Sequence, residues 1–182
     1  MYLSFVRIHE ALFALPFAYM GMLLAAGGWP GWHAFIWINV AMAGARTLGM
    51  AANRFVHHKE DAVNPRTANR HLPMGLIRPV EVMVMMAAAT AVLFLAAAQL
   101  NPLALALAPV AAIYVVLYSY AKYFTWGCHF VLGWALAIAP AAAWIGVTGR
   151  LDLQPVLLSL AVATWAGGFD VIYGCTDLEF DR

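Results

Sequence analysis

Long apolar runs alternate along the chain with shorter polar connections. Six such runs can be drawn, at about 11–27, 34–52, 82–100, 103–121, 127–147 and 156–173. No Asp, Glu, Lys or Arg occurs in 82–100, 103–121 or 131–147. Each of these stretches approaches the ~20 residues that a helix needs to cross a bilayer. The pattern therefore predicts an all-α fold, a polytopic transmembrane helical bundle with about six helices.

The connections show where polar chemistry can lie. Turn residues separate most of the runs, as in GGWPG at 27–31, Asn101-Pro102, and TGRLD at 148–152. Only the stretch 53–81 is both long and polar. We therefore expect one transmembrane domain over 1–182, with its chemistry concentrated at 53–81 and at the C-terminal end.

Composition and charge narrow the class of protein. Of the 182 residues, 64% are apolar and 10% are charged, whereas soluble domains carry about 25% charged residues. The formal net charge is only +1, so no bulk field attracts nucleic acid, and we expect no nucleic-acid partner. The two cysteines, Cys128 and Cys175, lack metal-ligand spacing and are interpreted as packing residues.

The positive residues predict the orientation in the membrane. Lys and Arg are retained on the cytoplasmic side of membrane proteins. With the N-terminus inside, Arg150 alone lies in an outer loop, and Arg46 lies within a helix. The inner side then receives Arg7, Arg54, Lys59, Arg66, Arg70, Arg78, Lys122 and Arg182. We expect an integral protein of the inner or plasma membrane, with the N-terminus and the polar loops in the cytoplasm.

The first cluster of ionisable residues is NRFVHHKED at 53–61. If the second helix continues by two turns, Asn53, His57 and Asp61 lie in one stripe, because a helix turns about 100° per residue. Arg46 precedes Asn53 by two turns and shares its face. An Arg within a membrane segment usually has a partner. Two partners are open: the carboxylate of a bound ligand, held bidentately, or a structural acid or helix-end carbonyl.

The second cluster lies at 170–181, where Asp170, Tyr173, Asp177 and Asp181 fall on one helical face. Three carboxylates in one stripe repel one another unless cations neutralise them. Oxygen ligands suit Mg²⁺, which keeps several waters and bridges one or two carboxylates to substrate phosphate. The alternative is a solvated helix end. Because these carboxylates share one helical face and a second polar cluster is predicted on the same side of the membrane, we favour a magnesium site.

These motifs together resemble the UbiA superfamily of intramembrane aromatic prenyltransferases. The resemblance extends over essentially the whole chain. It rests on Asn53 and Asp61, NPRTANRHLP at 64–73, YSYAK at 118–122 and DxxYxxxDxxxD at 170–181. LFALPFA at 12–18 and GART at 44–47 are similar to the branch that prenylates 4-hydroxybenzoate or menaquinone-pathway acceptors.

The resemblance implies nine transmembrane helices around a central cavity open to lipid, of which about six are present. The domain over 1–182 would be a prenyltransferase domain, incomplete at its C-terminus. The implied reaction is Mg²⁺-dependent transfer of a polyprenyl group from a polyprenyl diphosphate to an aromatic acid (4-hydroxybenzoate or dihydroxynaphthoate type) in quinone biosynthesis.

The resemblance also implies roles for individual residues. Asn53, Asp61, Asp177 and Asp181 would hold the metal. The catalytic clusters would comprise Asp61, Asp170, Asp177, Asp181 and Tyr173. Diphosphate oxygens would contact Arg66, Arg70 and Lys122. Our own hypothesis for Arg46 is that it receives the carboxylate of the aromatic acid, with a structural pair as the alternative.

Three features depart from the family pattern. His57 stands where the family usually has Asp, and imidazole is a poor ligand for Mg²⁺. Tyr123 follows Lys122 where the family often has a second basic residue, so one phosphate contact is expected to be missing. The chain stops at Arg182, whereas the family continues for about three helices. We expect a fragment or a truncated reading frame, and the inferred activity belongs to the complete protein.

Two other classes of protein compete with the enzyme. A cation or proton transporter would carry acids through the depth of the membrane, whereas here they gather at one predicted face beside basic residues. A non-catalytic or decayed membrane scaffold is compatible with His57 and with the short chain.

The first departure leads to a prediction. We expect His57→Asp to lower the Mg²⁺ concentration needed for half-maximal prenyl transfer, because a hard carboxylate replaces an imidazole. A Mg²⁺ titration of activity measures this. An unchanged titration would show that position 57 does not contribute to the metal site.

Overall fold

The computed structural model describes residue 5, residues 13–65 and residues 67–175, and these residues are helical apart from their connections. The all-α prediction is confirmed. The helices are α1 Leu15–Ala26, α2 Trp32–Val56, α3 His58–Val63, α4 Pro79–Leu100, α5 Pro102–Leu117, a 3₁₀ helix Tyr118–Tyr123, α6 Cys128–Thr148 and α7 Leu153–Gly174. By length and composition, α2, α4, α6, α7 and the continuous span Pro102–Tyr123 could each cross a membrane. Helix α1 is shorter and apolar.

Proline and glycine set several helix ends where the apolar runs stop. Helices α4 and α5 begin at Pro79 and Pro102. Proline is favourable there because the first N–H groups of a helix have no intrahelical partner. Helices α1 and α6 end at Gly27 and Gly149, which have φ values of 62° and 66°. Glycine adopts this left-handed conformation without the steric cost of a Cβ atom.

Small residues allow the helices to pack closely. Helix α6 packs on both α1 and α7, and α2 packs on α4. A Cβ atom at Gly133 of α6 would lie 2.9 Å from the backbone nitrogen of Gly167 in α7, and nearer still to the carbonyl oxygen of Ala163. Gly21 of α1 contacts the backbone of Pro140 in the same way. Such contacts are the usual means by which transmembrane helices associate.

Two polar side chains form hydrogen bonds across helices of the bundle. Asn101 accepts a hydrogen bond from the backbone N–H of Ala104 (2.9 Å), which caps α5, and donates to the carbonyl of Ile145 in α6 (2.7 Å). Ser159 of α7 donates to the carbonyl of Ala137 in α6 (2.7 Å). These hydrogen bonds satisfy polar groups that would find no hydrogen-bond partner in lipid.

The second predicted helix is interrupted, which corrects one expectation. It ends at Val56 rather than continuing through Asp61, because His57 takes φ −95° and ψ 16°. The backbone still bonds across the break, from His57 N–H to the Asn53 carbonyl (3.0 Å) and from Asp61 N–H to the His57 carbonyl (2.8 Å). The helical spacing of Asn53, His57 and Asp61 is therefore nearly kept.

Helix packing gives a prediction about stability. Gly133→Ala should destabilise the protein by about 1–3 kcal/mol, since the added methyl group overlaps the α7 backbone. Gly168→Ala in α7 is the matched control: a Cβ atom there meets nothing within 4 Å, so we expect no loss. Thermal unfolding in detergent compares the two. Equal effects of both substitutions would contradict the close α6–α7 contact.

Candidate functional site

A polar cavity of about 360 Å³ lies at one end of the helix bundle. Its walls come from α2, α3, the loop that follows α3, the 3₁₀ helix, α6 and α7. Asn53, His57 and Asp61 line it from the first predicted cluster, Asp170 lines it from the second, and Lys122 lies between them on the 3₁₀ helix. The fold thus brings together two clusters that are far apart in the sequence.

Asp61 is held by Arg70. Asp61 is 7% exposed, and both of its carboxylate oxygens accept hydrogen bonds from Nη1 of Arg70, at 2.8 and 2.7 Å. Thr67 also donates to the Asp61 carbonyl (3.1 Å), so the loop after α3 folds back over that helix. A buried carboxylate without a partner would be strongly destabilising. Arg70, predicted to contact diphosphate, therefore also forms an ion pair in the wall of the cavity.

The two departures at positions 57 and 123 lie against each other. The Tyr123 hydroxyl donates to Oε1 of Glu60 (2.7 Å) and lies 3.2 Å from Nδ1 of His57. The two rings stack with their centroids 5.4 Å apart. Burial lowers the pKa of His57 below its ordinary value of 6.5, and the hydrogen bond from Tyr123 lowers the pKa of Glu60. At neutral pH the imidazole is therefore neutral and Glu60 is ionised.

Asp170 is bonded to a residue that the sequence analysis missed. Nδ1 of His129, at the start of α6, lies 2.7 Å from Oδ2 of Asp170, near the end of α7. Both residues line the polar cavity. His129 belongs to none of the quoted motifs. The available signal was its place near the start of the apolar run 127–147, on the same predicted membrane side as Lys122.

Two further predicted residues, among those that the structure describes, do not line the cavity. Arg46 is half-buried on α2, and its guanidinium interacts electrostatically with Tyr118, which does line the cavity. Tyr173 is 51% exposed and stacks on Phe169, with ring centroids 6.4 Å apart. Arg66, Asp177 and Asp181 lie outside the described residues, so their roles stay predictions.

A second, apolar cavity of about 620 Å³ lies between α2, α4, α5 and α6. Its lining includes Leu93, Ala108, Trp134 and Ile138. Tyr114 lies on this cavity, and Tyr118, four residues further along the chain, lies on the polar one. The polar and apolar chambers are therefore one helical turn apart on this segment.

The polar cavity carries oxygen ligands suited to a hard cation. The carboxylates of Asp61 and Asp170 and the amide of Asn53 line it. Within the described part of the chain, no group of three or more His, Cys, Asp or Glu side chains could hold a metal ion. Mg²⁺ commonly takes one or two carboxylates, with waters and substrate phosphate completing its shell. The donor set fits an ion shared with a phosphate ligand, and it does not form a protein-only cage.

The fold and the cavity define a helical membrane protein with an acidic chamber at its helix ends. The model of the UbiA prenyltransferase family matches residues 14–182. The chain belongs to this family and is an integral membrane protein.

Known proteins support this placement. The chain is 31% identical over 160 residues to a 4-hydroxybenzoate octaprenyltransferase of Aliivibrio fischeri, covering 88% of this chain and 56% of that protein. It superposes on the apo structure of a UbiA homologue from Aeropyrum pernix K1 with a TM-score of 0.88 and 34% identity, covering 96% of this chain and 66% of that one.

A further solved structure shares the fold at lower identity. The UbiA homologue from Archaeoglobus fulgidus bound to DMAPP and Mg²⁺ has a TM-score of 0.76 and 20% identity, over 99% of this chain and 65% of that one. The chain spans a little over half the length of the curated relatives that it matches, for example 56% of the A. fischeri protein.

The Asp61–Arg70 pair gives a prediction. Arg70→Met should lower stability by about 1–3 kcal/mol, since it leaves the buried carboxylate of Asp61 unpaired. The loss is no larger because Arg70 itself is partly exposed to solvent. Adding Asp61→Asn should recover much of this loss, because the uncompensated charge is removed. Thermal unfolding in detergent reports both. If Asp61→Asn lowered the midpoint further in the Arg70→Met background, the pair would not be the source of the loss.

Proposed function

We propose that the protein transfers a polyprenyl group from a polyprenyl diphosphate to an aromatic acid of the 4-hydroxybenzoate or dihydroxynaphthoate type, with Mg²⁺ as cofactor, in quinone biosynthesis. The observation that carries this proposal is the shared cavity. Asp61 and Asp170, from two separate acidic clusters, line one polar chamber with Lys122 beside them.

The side chains of the chamber suit a diphosphate. Lys122 supplies positive charge for its oxygens, and Arg70 and Arg66 are proposed to add to this. When bound, Mg²⁺ neutralises the charge that develops on the leaving diphosphate. Asn53 and Asp61, with Asp177 and Asp181, are proposed as its ligands, and Asp170 and Tyr173 as further members of the second cluster. Fixed charges of this kind stabilise a transition state because they need no reorganisation during the reaction.

The apolar chamber suits the isoprenoid chain of the polyprenyl diphosphate. Loss of diphosphate from an allylic isoprenoid leaves a resonance-stabilised cation, which water would quench. The wall of the larger cavity is built almost entirely from aliphatic and aromatic side chains, and a chamber of this kind excludes water. We propose that it holds isoprenoid carbon while the electron-rich ring of the acceptor attacks. The attacked ring carbon then loses its proton, which restores the aromatic ring.

Arg46 is proposed to anchor the carboxylate of the aromatic acid. It lies inside α2, two turns before Asn53, and its charge acts on Tyr118, which lines the polar cavity. A guanidinium can hold a carboxylate through two parallel hydrogen bonds. This anchor would place the acceptor ring on the membrane side of the diphosphate.

The comparisons support this choice of substrates. The sequence relatives are named for octaprenyl transfer to 4-hydroxybenzoate, and the Archaeoglobus fulgidus structures hold DMAPP or GPP with Mg²⁺. We also propose that 1–182 belongs to a single transmembrane prenyltransferase domain. Its polar chamber would face the cytoplasm, as the distribution of Lys and Arg indicates.

One assay tests the function. Membranes containing the full-length protein are supplied with a labelled polyprenyl diphosphate, Mg²⁺ and aromatic acids, and each acid is paired with its analogue that lacks the carboxylate. We expect a prenylated acid that requires Mg²⁺, little product from the analogues, and a loss of about 10²-fold or more in Asp170→Asn. Asp152→Asn is the control, because Asp152 lies at the opposite end of α7 and bonds to Trp144.

Two outcomes would contradict the proposal. If no acid were prenylated by membranes that contain folded protein, a scaffold would be the better description. If product formed equally in Asp170→Asn and Asp152→Asn, the polar chamber would not be the site of transfer.

A further inference from the structure

We propose that His129 is a positioning residue for Asp170, holding its carboxylate in the orientation that a cation and a diphosphate require. This inference rests on the proposed function of the polar chamber. It adds a residue from the start of α6 that belongs to neither acidic cluster.

The hydrogen bond is short and joins two helices. Nδ1 of His129 lies 2.7 Å from Oδ2 of Asp170, and the side chains are 29% and 26% exposed. The carboxylate can only accept, so the imidazole N–H donates. Hydrogen bonds to an ionised carboxylate are stronger than neutral ones, and the partial burial of both groups limits competition from water.

The packing of α6 on α7 fixes the imidazole on its other side. A Cβ atom at Gly174 would lie 2.9 Å from Cε1 and 3.4 Å from Nε2 of His129. The ring thus occupies space that any larger residue at position 174 would take. Gly133 and Gly167 bring the same two helices into backbone contact one turn deeper in the bundle.

The hydrogen bond from His129 gives the two carboxylate oxygens of Asp170 different roles. His129 engages Oδ2, so Oδ1 is the oxygen through which Asp170 would take a cation or a metal-bound water. Without the imidazole, the carboxylate could rotate about its side-chain bonds. Removing an outer partner that orients a ligand typically costs 10–100-fold in metal affinity or activity.

Metal binding tests this role without a turnover assay. Purified protein in detergent is titrated with Mn²⁺ in the presence of inorganic diphosphate, and free Mn²⁺ is measured by electron paramagnetic resonance. His129→Phe keeps a ring but has no donor, and we expect Mn²⁺ affinity to fall about 10–100-fold. His129→Asn places an amide N–H near the position of Nδ1, and we expect affinity to be largely retained.

Two more variants complete the design. Asp170→Asn should weaken Mn²⁺ binding at least as much as His129→Phe, and combining the two should add little, because the residues act as one unit. Gly174→Ala should displace the imidazole without changing either partner, which also provides a test if His129→Phe does not fold. Gly168→Ala, where a Cβ atom meets nothing within 4 Å, should bind Mn²⁺ as the unsubstituted protein does.

The outcomes separate this inference from the proposed function. If Asp170→Asn weakened Mn²⁺ binding while His129→Phe and Gly174→Ala did not, His129 would have no positioning role and the proposed function would stand. Equal weakening in His129→Phe and His129→Asn would also overturn the positioning role, because the N–H donor would not matter. If Asp170→Asn left Mn²⁺ binding unchanged, the positioning role would be overturned, because Asp170 would not contribute to the cation site. The proposed function, whose metal ligands are other residues, would still be decided by the prenyl-transfer assay.

Discussion

A carboxylate at the end of a membrane helix is poorly hydrated and therefore needs a hydrogen-bond or ion-pair partner. The polar cavity depends on two such partners. Asp61 is almost fully buried and is held by Arg70. Asp170 is partly buried and is held by His129. In each case the partner comes from another segment, the loop after α3 or the start of α6. The electrostatic requirement therefore also fixes how the helix ends are arranged around the cavity.

Close backbone packing makes the second of these pairs possible. Gly133, Ala163 and Gly167 let α6 and α7 touch along their backbones. Because the helices are this close, a side chain near the start of α6 reaches one near the end of α7. The same small residues that associate helices in lipid thus determine the geometry of a polar site. A packing change several residues away would move Asp170 relative to Asp61.

The elements were predictable from the sequence, but several of their contacts were not. Apolar runs located the helices, since lipid requires long uncharged segments, and proline and glycine marked several ends. Helical periodicity grouped Asn53, His57 and Asp61, although the helix breaks at His57. Periodicity describes one helix at a time, so it could not show that His57 faces Tyr123 or that His129 reaches Asp170. Those contacts depend on which helices pack together.

The two unusual residues at positions 57 and 123 form a unit in the structure. The neutral imidazole of His57 stacks on the phenol of Tyr123, which donates a hydrogen bond to Glu60. At these two positions the family usually has an acid and often a base. The local charge of this wall is therefore carried by Glu60, and it lies beside the Asp61–Arg70 pair. Asp61, Arg70, Asp170 and Lys122 also line the polar cavity, and they carry the charges on which the proposed diphosphate site depends.

The central claim is that Asp61 and Asp170 serve one ligand. Diffraction from crystals grown with Mn²⁺ and an unreactive thiolo analogue of a prenyl diphosphate tests it most directly, because anomalous scattering locates the metal. The account predicts manganese peaks inside the polar cavity, with the diphosphate lying between these two carboxylates. Manganese bound elsewhere, or a diphosphate contacting only one of the two acidic clusters, would contradict it.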